Sequence, residues 1–141
     1  MTLDHFLVII HFLGLAMGLS TGFANMVMAG LIAKAAPSDA GVLSRFPPAM
    51  SRIGAIGLTL LWASGIAIVQ TRYGSFAILP RTFVIKIAAV ALLTLGVVYI
   101  HILMPRAQRG DMAAAARIQM IGRMTGPLAI LAIIFAVITF G

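Results

Sequence analysis

The sequence predicts an all-α, four-helix transmembrane bundle threaded up-down-up-down, and three observations carry that prediction. Hydrophobic residues make up 62% of the 141-residue chain, charged residues make up only 9%, and the apolar residues gather into four long runs. Soluble domains are roughly 45–50% apolar and 25% charged, whereas a bilayer-crossing helix needs about 20 mostly apolar residues. The four runs lie at 3–33, 53–71, 82–104 and 118–140 and use nearly the whole chain, so residues 1–141 read as a single integral membrane domain.

The first run carries an acidic Asp4 where a secretory leader has basic residues, and it outlasts a cleavable apolar core, so it is expected to be a retained helix. A connection at 35–48 follows, with Pro37, Gly41, Pro47, Pro48 and the Ser38–Asp39 pair giving it the chemistry of a turn-rich loop. The second connection, 72–80, holds Tyr73, Gly74 and Phe76, which suit an interfacial anchor. The third, 105–116, ends in four alanines that start the last helix before it enters lipid. Pro127 inside that helix removes a backbone donor and is expected to kink it or free a carbonyl near Arg123.

The net charge of +7 could suggest nucleic acid, but the basic residues are scattered over short connections without interleaved aromatics, so no nucleic-acid partner is expected. Topology explains the charge better. Lys34, Arg45, Arg52, Arg106, Arg109, Arg117 and Arg123 fall on one side of the threading, against Arg72 and Arg81 on the other, with Lys86 a turn inside. By the positive-inside rule the first and third connections are cytoplasmic and both termini face outward, which in a bacterial inner membrane means the periplasm. The absence of cysteine excludes disulfides, thiolate metal sites, iron–sulfur clusters and covalently attached c-type haem.

The polar residues inside the apolar runs are the candidates for chemistry, because an ionisable group in hydrocarbon is costly to retain. His11 shares a helical face with Gly14, Gly18, Gly22 and Asn25, all within about 80° of arc at 100° per residue. A possible metal ligand beside missing side chains suits a flat group such as haem b. On this reading His11 is the axial ligand and Gly14 and Gly18 pack the ring. Arg72 and Arg81 meet its propionates, and Lys86 supplies a second ligand or a catalytic proton. The plainer reading of the same glycines is close helix packing, and of the histidine a cross-helix hydrogen bond.

On the third segment Phe83, Lys86, Val90, Thr94, Val97 and His101 form one face, its polar one, expected to point into the bundle. Lys86 and His101 stand about 22 Å apart along the axis at 1.5 Å per residue, so they belong to opposite leaflets. Counting from the helix starts puts His11 level with Lys86 and removes His101 as its partner on one iron. His101 near Pro105 reads as an interfacial residue, His5 beside Asp4 as an outer-surface one, and Arg123 as a snorkelling cation. The single tryptophan, Trp62, sits mid-helix, where core packing is preferred to stacking on a cofactor. Nine methionines raise a copper alternative, but Met120 and Met124 lack a third partner on their face. No phosphate loop, nucleophile elbow or zinc-protease motif occurs.

The early histidine in "LVIIHFLGLAMG", the segment "MSRIGAIGLTLLWASGIAIV" and "TFVIKIAAVALLTLGVVYIHILMPRAQRG" with its early lysine resemble the HemJ-type protoporphyrinogen oxidases and the related CopD-like small four-helix membrane proteins. The resemblance covers the first three helices. It implies a b-type haem, with the functional histidine and lysine falling on His11 and Lys86, and oxidation of a membrane-soluble tetrapyrrole. The glycine-rich first helix, the Pro47–Pro48 pair and the lack of tryptophan-rich and basic flanks depart from that pattern. The expected function is therefore a membrane-embedded haem b protein in electron transfer or tetrapyrrole oxidation. The alternatives are an accessory or assembly subunit of a larger membrane complex and a small metal or solute transporter. Besides the lipid bilayer, the expected partners are other membrane subunits or a second copy of the chain.

Overall fold

The computed structural model describes residues 2–140. Five α-helices follow one another: α1 (Leu3–Lys34), α2 (Pro37–Leu43), α3 (Phe46–Tyr73), α4 (Arg81–Gln108) and α5 (Met112–Phe140), with one short 3₁₀ turn at Phe76–Ile78 between α3 and α4. Four of them, all but α2, are long and apolar enough to cross a membrane, and no strand occurs among the described residues. The all-α four-helix bundle follows, with successive long helices antiparallel.

Three helix ends have a local cause. Thr2 caps α1 by accepting from the His5 backbone N–H, and the His5 ring reaches back to the Thr2 backbone, completing a capping box. His5 is thereby an exposed capping residue. Gly74 ends α3 with φ 68°, a left-handed geometry that an L side chain enters only with strain. Asp111 opens α5 by accepting from the Ala114 backbone N–H at 3.0 Å.

Three boundaries differ from the sequence reading. The connection 35–48 is not wholly irregular, because Pro37 starts the short helix α2 from its first turn. Pro47 and Pro48 likewise occupy the first turn of α3, so that helix begins at Phe46 rather than near residue 53. In its first turn a proline loses no hydrogen bond, and these prolines start helices instead of breaking them. The fourth helix of the chain continues through Pro105 to Gln108, and α5 runs unbroken through Pro127.

Packing is concentrated in two pairs, α1 against α3 and α4 against α5, with thinner seams where α1 meets α5 and α3 meets α4. Lipid is as apolar as leucine, so small residues that admit close backbone approach hold such pairs together. A Cβ added to Gly14 would stand 2.7 Å from the Gly57 carbonyl oxygen, and one added to Gly57 would stand 2.8 Å from the Gly14 carbonyl oxygen. Thr21 is buried one turn or more along the same seam, donating to Met17 O at 2.8 Å while its methyl fills the space above Gly54. The α4–α5 pair is tied at its terminal end by Thr139 Oγ1 and Thr82 Oγ1, 2.8 Å apart. Large apolar side chains such as Phe12, Leu95 and Val137 project outward, where hydrocarbon would solvate them.

Candidate functional site

His11 sits half-buried on the α1–α3 seam. Its Nδ1 lies 2.9 Å from Ser64 Oγ, and the Ser64 hydroxyl hydrogen is committed to the Leu60 carbonyl. The Ser64 oxygen therefore accepts from the imidazole, which donates through Nδ1–H. The ring lies against Gly65, whose added Cβ would meet His11 Cε1 at 3.5 Å. Ser64, only 2% exposed, is the partner that sequence reasoning missed. A lone hydroxyl in the run "LLWASGIAIV" was the available signal.

The glycine stripe divides. Gly14 is covered by α3 at backbone contact, so its missing side chain serves helix packing and leaves no room for a ring there. Gly18 and Gly22 have nothing within 4 Å of an added Cβ and lie open to the surroundings. Arg72, expected at a propionate, has its Nε 3.7 Å from Asp4 Oδ2 instead. Arg81 is the exposed first residue of α4.

Lys86 lies deeper in the chain's terminal half of α4, with its Nζ 5.9 Å from the centroid of the buried Phe83 ring. The Trp62–Thr94 bond fixes the register of α3 against α4, which places Lys86 opposite residue 70 and His11 opposite Ser64. By that register Lys86 stands about six residues, or roughly 9 Å, nearer the terminal side than His11. The equal depth expected from helix starts is thus corrected.

An open groove of about 410 Å³ runs between α3 and α4, lined by Leu58, Trp62, Thr94, Val97, His101 and Ile102 among others. Trp62 Nε1–H donates to Thr94 Oγ1 at 2.9 Å, and the threonine hydroxyl donates onward to Val90 O at 2.7 Å. Trp62 therefore bridges the two helix pairs. At the other end His101 donates Nδ1–H to its own helix at Val97 O, 2.8 Å away. A carbonyl only accepts, so Nδ1 is the donor and Nε2 takes no part in that bond. His101, read from sequence as interfacial, lines the groove.

Thr94 and His101, both lining the groove, are seven residues apart, roughly 10 Å along the axis of α4. Among the described residues no cluster of three or more His, Cys, Asp or Glu side chains gathers, so a multidentate protein cage for a bare metal ion is not present there. No protein-family model, curated protein or solved structure matches this chain.

Proposed function

We propose that the chain is an integral membrane protein that binds haem b and passes single electrons, with His101 Nε2 as the axial ligand in the α3–α4 groove. The observation that carries this reading is the pairing of an apolar groove with one imidazole whose other nitrogen is already committed to Val97 O. His11, favoured by the sequence pattern and by the resemblance to HemJ-type oxidases, is the competing ligand. Its Nε2 is equally free of Ser64, but its neighbour Gly14 is closed by α3. A bacterial inner membrane, with the connections bearing Lys34, Arg45 and Arg109 in the cytoplasm, fits the charge distribution.

The test is spectroscopic. Protein purified in detergent and titrated with hemin should develop a Soret band that His101→Ala abolishes and His11→Ala keeps. Loss of the band in His11→Ala alone would return the ligand to helix α1, and colourless wild-type protein would end the haem reading. A second reading, an accessory membrane subunit, is favoured by Gly122 and Gly126 on α5, which have nothing within 4 Å of an added Cβ. Co-purification with a larger complex in fixed ratio, lost in Gly122→Leu, would support it.

A further inference from the structure

Where α4 turns into α5, a second and smaller cavity of about 100 Å³ is lined by Leu103, Arg106, Asp111, Ala113, Ala114 and Arg117. At about 30 Å³ per water it holds roughly three waters, so it admits a compact polar group and no ring system. Two of its lining residues are arginines and one is a carboxylate, which leaves one positive charge in excess. The carboxylate is already engaged. Asp111 Oδ2 is 3.1 Å from Arg106 Nη2, and Asp111 Oδ1 accepts from the Ala114 backbone N–H at 3.0 Å. Arg117 has a neutral neighbour instead, its Nη1 donating to Tyr99 Oη at 3.4 Å. The excess charge is therefore that of Arg117, and the cavity suits a compact anion such as a phosphate group.

The surface leading up to this cavity is apolar and open. On α4, Leu92, Leu95, Tyr99 and Ile102 precede Arg106 by fourteen, eleven, seven and four positions and fall within about 40° of it at 100° per residue. All four are exposed, Tyr99 the least at 39%. On α5, Met124 follows Arg117 by seven positions, stands within about 20° of it and is exposed as well. From Leu92 to Arg106 the strip is roughly 21 Å long, more than half of the roughly 30 Å hydrocarbon thickness of a bilayer. An acyl chain of one leaflet can lie along it. Tyr99, with its ring on the strip and its hydroxyl at Arg117, has the amphipathic character of a residue at the boundary between hydrocarbon and headgroups.

We propose that the cavity between Arg106 and Arg117 takes the phosphodiester headgroup of an acidic phospholipid, whose acyl chain lies along Leu92, Leu95 and Tyr99. The ligand comes from the bilayer and not from solution, because the apolar strip runs continuously into the arginine pair. Basic pockets between helices at a membrane surface hold lipid headgroups in this way. Arg117 supplies the attraction, and Arg106, held in place by Asp111, forms the opposite wall. The proposal rests on the four long helices crossing a membrane and is independent of haem.

The experiment titrates full-length protein in neutral micelles with dioleoyl phosphatidylglycerol or dioleoyl phosphatidylcholine, which share acyl chains and differ in charge, and counts retained lipid by native mass spectrometry. Wild type should hold one phosphatidylglycerol about fivefold more tightly than phosphatidylcholine. Arg117→Gln should remove that preference while leaving phosphatidylcholine affinity unchanged, which also shows that the variant is folded. Asp111→Asn, which keeps a side chain able to cap α5 but removes the carboxylate, should strengthen the preference. Arg123→Gln, an exposed arginine of the same helix outside the cavity, should leave it at the wild-type value. Equal retention of the two lipids by wild type would overturn the proposal. Equal loss in Arg117→Gln and Arg123→Gln would replace the cavity by a diffuse basic surface. Abolition of the wild-type preference by millimolar inorganic phosphate would make the ligand a solution anion and overturn the assignment to lipid.

Discussion

Replacing Gly14 by alanine should loosen the α1–α3 pair, and the size of the effect follows from the geometry. The added Cβ would stand 2.7 Å from the Gly57 carbonyl oxygen and 3.0 Å from the Leu61 nitrogen, both backbone atoms that no rotamer change can move. Ordinary contact begins about 0.7 Å further out, so the helices must separate by that amount. The His11–Ser64 bond, now 2.9 Å and one turn away, would open to about 3.6 Å and be lost. Overpacking of this kind costs about 1–3 kcal/mol and a lost hydrogen bond about 1 kcal/mol, offset by about 1 kcal/mol from alanine's better helix propensity. The expected net loss is about 1–3 kcal/mol, measured by unfolding in mixed micelles with Trp62 emission as the probe. Gly57→Ala should cost a similar amount and add little on top of Gly14→Ala, because one separation relieves both contacts. Gly18→Ala, with nothing within 4 Å of its new methyl, is the internal control and should be neutral or mildly stabilising. Equal stability of Gly14→Ala and Gly18→Ala would refute backbone contact as the basis of this pair.

Three further outcomes are expected. Trp62→Phe should break the bond that joins the helix pairs across the groove, lowering stability by about 1 kcal/mol and leaving the α1–α3 and α4–α5 pairs formed, as read by crosslinking within and between pairs. Asp111 is held below the usual carboxylate range first by the Ala114 backbone N–H, and also by Arg106. A carboxylate lowered in the folded state stabilises above its unfolded pKa, and that contribution disappears as pH falls through its folded value. Thermal midpoints measured between pH 6 and strongly acid solution should therefore fall less in Asp111→Asn than in wild type. Because the chain has no cysteine, Ser38→Cys and Ser75→Cys provide single labels, and an impermeant maleimide should reach them from opposite sides of sealed vesicles. Labelling from one side would overturn the four-crossing topology.

Element type was legible because nothing but long helices can satisfy the backbone of four apolar runs in lipid. Boundaries were less so, since Pro37, Pro47 and Pro48 look like breakers in a linear reading and act as first-turn residues in space. The polar face through Thr94 and His101 was visible in the 100° periodicity, and it does line the groove. What periodicity could not supply was helix register and rotation between elements. Counting from helix starts placed Lys86 level with His11, whereas the His11–Ser64 and Trp62–Thr94 bonds set the two residues against different levels of α3. Ser64 as the His11 partner, 53 residues away in sequence, depends on that same unseen rotation. Hydrogen bonds then decided which ring nitrogen each histidine keeps free, a choice no spacing encodes.

The thin seams between the two helix pairs also bear on how the molecule is made. Each tight pair comes from one stretch of chain, with α1 and α3 complete before residue 81 is synthesised. Two hairpins can therefore enter the bilayer in turn and meet afterwards, and the groove between them comes into being only at that meeting. A chain severed between Ser75 and Pro80 and produced as two fragments should still reassemble, with Trp62 of one fragment finding Thr94 of the other.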